Sequence, residues 1–162
     1  MPTWEELRAG VYELDGSWRD IYVLDTTRED WRHWMTCVNR HYPVRWGAVD
    51  YQEDQTMDAI DVAYIDSRWE AGEGTLTSWC TVFLDQVEVK CHFFTYLEIE
   101  QDIDPSQIQS VADHERLMAY LVTISCALHK EVIVTAENVP EGIYIRVNGT
   151  DIHLMQGLQV HS

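Results

Sequence analysis

Between Leu97 and Pro105 the chain reads LEIEQDIDP, and four carboxylates, Glu98, Glu100, Asp102 and Asp104, fall on every second residue. Carboxylates set out in this way could hold a cation, grip a basic partner, or simply solvate one face of a strand. Calcium needs several oxygens converging on one point, usually from a loop with a glycine at its sharp turn. Here the side chains of an extended run stand parallel and no glycine interrupts them, so no metal is expected. On a strand, same-side neighbours are ~6.6–6.8 Å apart and the comb would extend over about 20 Å. That pitch is close to the roughly 6–7 Å between successive phosphates implied by the charge density of a duplex. A row of carboxylates at this spacing can stand in for a nucleic-acid backbone in a basic groove. The four residues are therefore candidate partner-binding positions, with Leu97, Ile99 and Ile103 facing the core. The plain alternative is a solvated antiparallel face, where such alternation is the rule. Favouring recognition, no lysine or arginine is interleaved.

A second candidate lies in DSRWEAGEG, where Trp69 sits in polar, glycine-bearing surroundings beside Glu70 and Glu73. Tryptophan is enriched among interface hot spots, especially inside a charged rim. An exposed Trp69 with Glu70 and Glu73 would extend the partner-binding set; folded back over a sheet, it would be core. Other arrangements carry less. His33, Cys37 and His41 recur every fourth residue, but the two histidines would be ~12 Å apart along a helix and could not share one zinc ion. Cys91 and His92 point to opposite faces of a strand. Asp113, His114 and Glu115 open a helix, where an acid caps and complements the dipole. The chain has no GxSxG, glycine-rich phosphate loop, HExxH or CxxC. Accordingly no catalytic residue, cofactor or enzymatic activity is expected.

The elements that must position these residues follow from capping, periodicity and turns. Thr3 and Glu6 form a capping box for a short helix ending at Gly10. WRDIYVLD is rich in strand formers. Thr27 caps a helix over TTREDWRHWMTCVNRHY, with Trp31, Trp34, Met35, Val38 and Tyr42 on one face and Pro43 at its end. VRWGAVDY and AIDVAYID read as strands, the second also as a helix edge. TLTSWCTVFL and VEVKCHFFTYLEIE form a hairpin around Asp85–Gln86. Asp104-Pro105 opens a helical turn, and Asp113 caps a helix whose buried stripe is Leu117, Tyr120, Leu121, Ile124 and Leu128. EVIVTAEN, GIYIRVN and DIHLM complete the chain as strands. Short turns join most strands, so the expected fold is α+β, a mostly antiparallel sheet with two main helices on one face. One domain should span residues 1–162.

Eleven basic residues stand against twenty-eight acidic ones, a formal charge of −17. Such an excess opposes nucleic acid and anionic membrane and attracts a basic protein. Seven tryptophans and eight tyrosines exclude a disordered acidic tail. No apolar window reaches the length of a membrane span, and MPTWEELRAG is no signal peptide. Cys37, Cys80, Cys91 and Cys126 are too few and too dispersed for a disulfide scaffold, so the thiols are expected reduced and the protein cytoplasmic.

GSWRDIYVLDTTREDW, KCHFFTYLEIEQDIDP and LHKEVIVTAEN, together about a quarter of the chain, resemble segments of small acidic bacterial proteins of the toxin-immunity type. The resemblance implies a compact cytosolic domain that covers the active site of a basic toxin, such as a nuclease domain, without catalysing a reaction. It transfers no residue by position. Two other readings differ in what they require. A small-molecule-binding domain or enzyme needs a pocket between sheet and helices, lined by His92, Tyr96 and tryptophans. An adaptor subunit of a larger assembly needs an extensive exposed apolar patch.

Overall fold

The computed structural model describes residues 2–49, 51, 56–72 and 77–155. Eight strands form one antiparallel sheet: β1 (Arg19–Leu24), β2 (Val44–Ala48), β3 (Ser78–Leu84), β4 (Val87–His92), β5 (Glu98–Ile103), β6 (Val132–Ala136), β7 (Val139–Asn148) and β8 (Asp151–Leu154). Their spatial order is β2-β3-β4-β5-β1-β6-β7-β8. The helices are α1 (Trp4–Ala9), α2 (Arg28–His41), α3 (Val62–Glu70) and α4 (Val111–Leu128). This is the expected α+β architecture, with α2 and α4 as the main helices.

Period-two alternation divides the sheet into two faces. Ile21, Val23, Val82, Val89, Ile99, Ile103, Val134 and Ile145 are buried toward the helices. There they meet Trp31, Trp34, Met35 and Val38 of α2 and Leu117, Tyr120, Leu121 and Ile124 of α4 in one core. A buried polar chain ties the layers: Trp34 Nε1 donates to Tyr120 Oη at 3.3 Å, and Tyr120 donates to Gln101 Oε1. Thr27 caps α2 through a capping box with Asp30, and the turn at Asp85–Gln86 closes the β3–β4 hairpin, both as the sequence leads one to expect.

Three local expectations need correction. AIDVAYID does not form a strand: Asp61 caps α3, and Ile65 and Trp69, one helical turn apart, supply its buried side. α4 is capped by Ser110 rather than Asp113. Asp113 instead lies one turn inside, where its carboxylate accepts from Gln86 Nε2 and Gln109 N and pairs with Arg116. Leu97 does not face the core; it precedes β5 in a turn and is 62% exposed. Among the described residues no helix is long and apolar enough to cross a membrane.

Candidate functional site

The helix-free face of the sheet carries two rows of directly opposed side chains. One runs Trp79, His92, Glu100, Tyr22, Ile133, Arg146 and His153 across β3, β4, β5, β1, β6, β7 and β8. The other runs Arg45, Thr81, Lys90, Asp102, Asp20 and Thr135 across β2, β3, β4, β5, β1 and β6. At the centre, Asp20 faces Asp102, with Glu100 and Glu98 farther along β5. Like charges directly opposite one another weaken a sheet, so this arrangement is held at a cost to stability.

Three of the four carboxylates in the comb thus share one half-buried strand face on the open side of the sheet. Asp104 does not continue it: the strand ends at Ile103, and the Asp104 carboxylate turns to accept from Ser106 N and Oγ as the cap of a 3₁₀ turn. Pro105 directly follows and removes the ladder donor that a longer strand would need. Trp69 is not on the surface either. At 4% exposure it packs edge-on against Trp31 and Tyr96 and lies against Phe93, because α3 turns it inward. Glu70 remains exposed on α3, its carboxylate 3.8 Å from Arg28, away from the sheet's open face. Glu73 lies outside the described residues.

The structure adds residues that the spacing of the comb does not include. Asp20, Lys90, His92, Phe94, Trp18, Glu137 and Asn138 line a shallow groove of about 460 Å³ together with Glu100 and Asp102. Asp20 is only 4% exposed, and its Oδ2 accepts from Tyr22 Oη at 3.1 Å and Asn138 N at 2.7 Å. Burial raises its pKa, and the neighbouring Asp102 and Glu137 charges add to that against those two donors. Glu100 is raised by burial and then by Asp20 and Glu98. His92 Nε2 lies 2.6 Å from Asp102 Oδ2, and this hydrogen bond raises the imidazole's pKa despite partial burial. The His92 ring stacks on Phe94, which is 50% exposed, while Lys90 Nζ sits 4.9 Å above the Trp18 ring. Trp79 lies over Gly47, where a Cβ would come within 2.6 Å of the indole, so a larger residue there would displace the ring.

Among the described residues, arginine ion pairs lie away from the central carboxylates of this face. The arginine ion pairs among the described residues engage Asp15, Asp66, Glu70, Asp85, Asp113 and Glu131, none of them in the central carboxylate group. The signal for Asp20 was present in WRDIYVLD: an acid in a strand-forming run shares its face with Trp18 and Tyr22. Fold and site together define an α+β protein with an open, acidic, aromatic-rimmed sheet face. The three segments that carry the sequence resemblance contain β1, β5 and β6 and the end of β4 from Lys90 onward, all adjacent in the centre of this face. In comparisons with known proteins, no family model, curated sequence or solved structure gives a significant match to the chain.

Proposed function

We propose that this protein is a non-enzymatic binding protein whose open sheet face grips a cationic protein. Its concrete form is an immunity-type inhibitor acting in the cytoplasm, covering a basic toxin domain such as a nuclease. The observation that carries the reading is the gathering of Asp20, Glu98, Glu100 and Asp102 on two adjacent central strands without an arginine partner among the described residues. Aromatic groups at the rim, Trp18, Trp79 and Phe94, supply the rigid apolar contacts that interfaces favour beside charge. The −17 charge of the chain would steer a basic partner toward this face.

Beneath the centre of the sheet, the interior supports this over a small-molecule site between the layers. Trp31, Trp34, Phe93 and Tyr120 fill that space, and His92 projects from the opposite side of the sheet. Capture from a lysate of the native cells, with parallel columns of wild-type protein and a Glu98→Lys/Glu100→Lys variant, tests the proposal. The expected result is a basic protein retained by wild type, released by salt, and lost from the variant column. Equal retention on both columns, or recovery of a small molecule alone, would overturn it.

A further inference from the structure

The other end of the sheet carries a different surface. β7 and β8 are joined by the two-residue loop Gly149-Thr150, with Gly149 at φ +62° in the first loop position, as tight hairpins of the II′ kind require. In such a hairpin the flanking pair, Asn148 and Asp151, exchanges backbone hydrogen bonds, and bonded and non-bonded pairs then alternate. Asp151 and His153 therefore direct their backbone groups inward to β7. Met155 keeps the same phase, donating from its N–H to the Tyr144 carbonyl at 2.9 Å. Ile152 and Leu154 direct theirs outward, and among the described residues no strand pairs with that edge.

Side chains follow a matching division. Ile152 and Leu154, opposite Val147 and Ile145, lie on the helix side. With Val111, Met118 and Val122 of α4 they line an apolar groove of about 570 Å³ that runs beside the open edge. Ile152 is 41% exposed. Asp151 and His153 lie on the other face, both exposed.

We infer that β8 is a self-pairing edge, and that its partner is a second copy of this chain related by a two-fold axis through Ile152. A two-fold interface sets one surface against itself, so the register must satisfy the same strand twice. Centring the antiparallel pair on Ile152 does so. The outward N–H and C=O of Ile152 in each copy meet those of the other, and Thr150 comes opposite Leu154. The same register sets each Asp151 beside the other copy's His153. Centring on His153 also engages the outward backbone groups, but it sets imidazole against imidazole and leaves Asp151 without an imidazole beside it. Hydrogen-bond complementarity, an imidazole beside a carboxylate in each half, selects the Ile152 register. The two apolar grooves then meet across the axis, and sixteen strands form one sheet with all main helices on one side.

Sedimentation equilibrium of the full chain at physiological salt tests this. Wild type is expected to be a dimer at micromolar concentration. Ile152→Pro removes an outward donor while leaving the inward ladder of β8 to β7 intact, so it should weaken self-association about tenfold or more with an unchanged circular dichroism spectrum. Two charge variants then test the register. His153→Arg should strengthen the dimer and Asp151→Arg should weaken it. A nonspecific charge effect would act in the same direction for both, since each makes the chain less negative. A monomeric wild type, a dimer indifferent to Ile152→Pro, or charge variants that shift together would overturn the inference. So would an edge that binds a different protein's strand while the chain alone stays monomeric.

Discussion

His92 and Asp102 stand on neighbouring antiparallel strands with Nε2 and Oδ2 2.6 Å apart, the closest side-chain partner that the central carboxylates have among the described residues. The bond uses one oxygen of one acid. Asp20 on β1, directly opposite Asp102, has only the Tyr22 hydroxyl and the Asn138 N–H as donors, and Glu100 lies between Tyr22 and His92 with no ion pair among the described residues. A sheet face built for stability alone would place threonine or an opposite charge at these positions. On the proposed function this electrostatic cost belongs with recognition, and each part of it has a measurable consequence.

The first consequence concerns pH. His92 is raised by its bond to Asp102, so the folded chain binds this proton more tightly than the unfolded chain does. Its contribution is fully present below the ordinary histidine pKa and is lost as pH rises through the folded value. Glu100 and Asp20 are also raised, by burial first, so each adds stability as pH falls through its folded value toward the ordinary carboxylate range. Urea denaturation should therefore show stability declining from mildly acidic to mildly alkaline pH. His92→Gln should flatten the part of that slope near neutrality. A wild-type slope of the opposite sign there would contradict the assignment.

Trp69 provides a test of the buried aromatic cluster. Trp69→Ala should cost about 3–5 kcal/mol, the usual loss for a large core aromatic. Trp69→Phe should cost much less, because the indole N–H has no acceptor among the described residues and the ring contacts survive in part. Chemical denaturation of both variants reads the difference. Neither change should touch the open face, so an effect of Trp69→Phe on partner binding at unchanged stability would contradict this placement.

Asp113 fastens the β3–β4 turn to α4. Its burial would raise the carboxyl pKa, but the bonds from Gln109 and Gln86 and the Arg116 charge outweigh that and hold it low. Asp113→Ala leaves Gln86 and the Gln109 N–H without their acceptor and should lower stability by about 2 kcal/mol or more. The contribution is present above the ordinary aspartate pKa and is lost as pH falls through the folded value, opposite in sign to Asp20. Denaturation midpoints of wild type and variant should therefore converge at strongly acidic pH.

How far these features are legible in the sequence differs from one to the next. β5 could be read from alternation because Ile99 and Ile103 face the core and Glu98, Glu100 and Asp102 face away. Its ends could not: Leu97 looks like another core residue, and only the turn before the strand leaves it exposed. α3 was hidden because Ile60, Val62 and Tyr64 imitate strand alternation while Ile65 and Trp69 carry the helical spacing. Ser110 and Asp113 are both sound caps, and tertiary bonds to Gln86 decided between them. The comb itself was half of the site. Its other half, Asp20 with Trp18, arrives from β1, and no local pattern states that β1 lies beside β5 rather than beside β2.

The central claim is that coherent negative potential on this face recognises a cationic protein. Its most direct test is the association rate with the captured basic partner, measured across salt for wild type and Glu98→Lys/Glu100→Lys. The account predicts that wild type associates fast at low salt and slows steeply as salt rises, since steering is screened within about a Debye length. The variant should associate slowly, with a shallow salt dependence and unchanged thermal stability. Identical rates and salt slopes for the two proteins would contradict it.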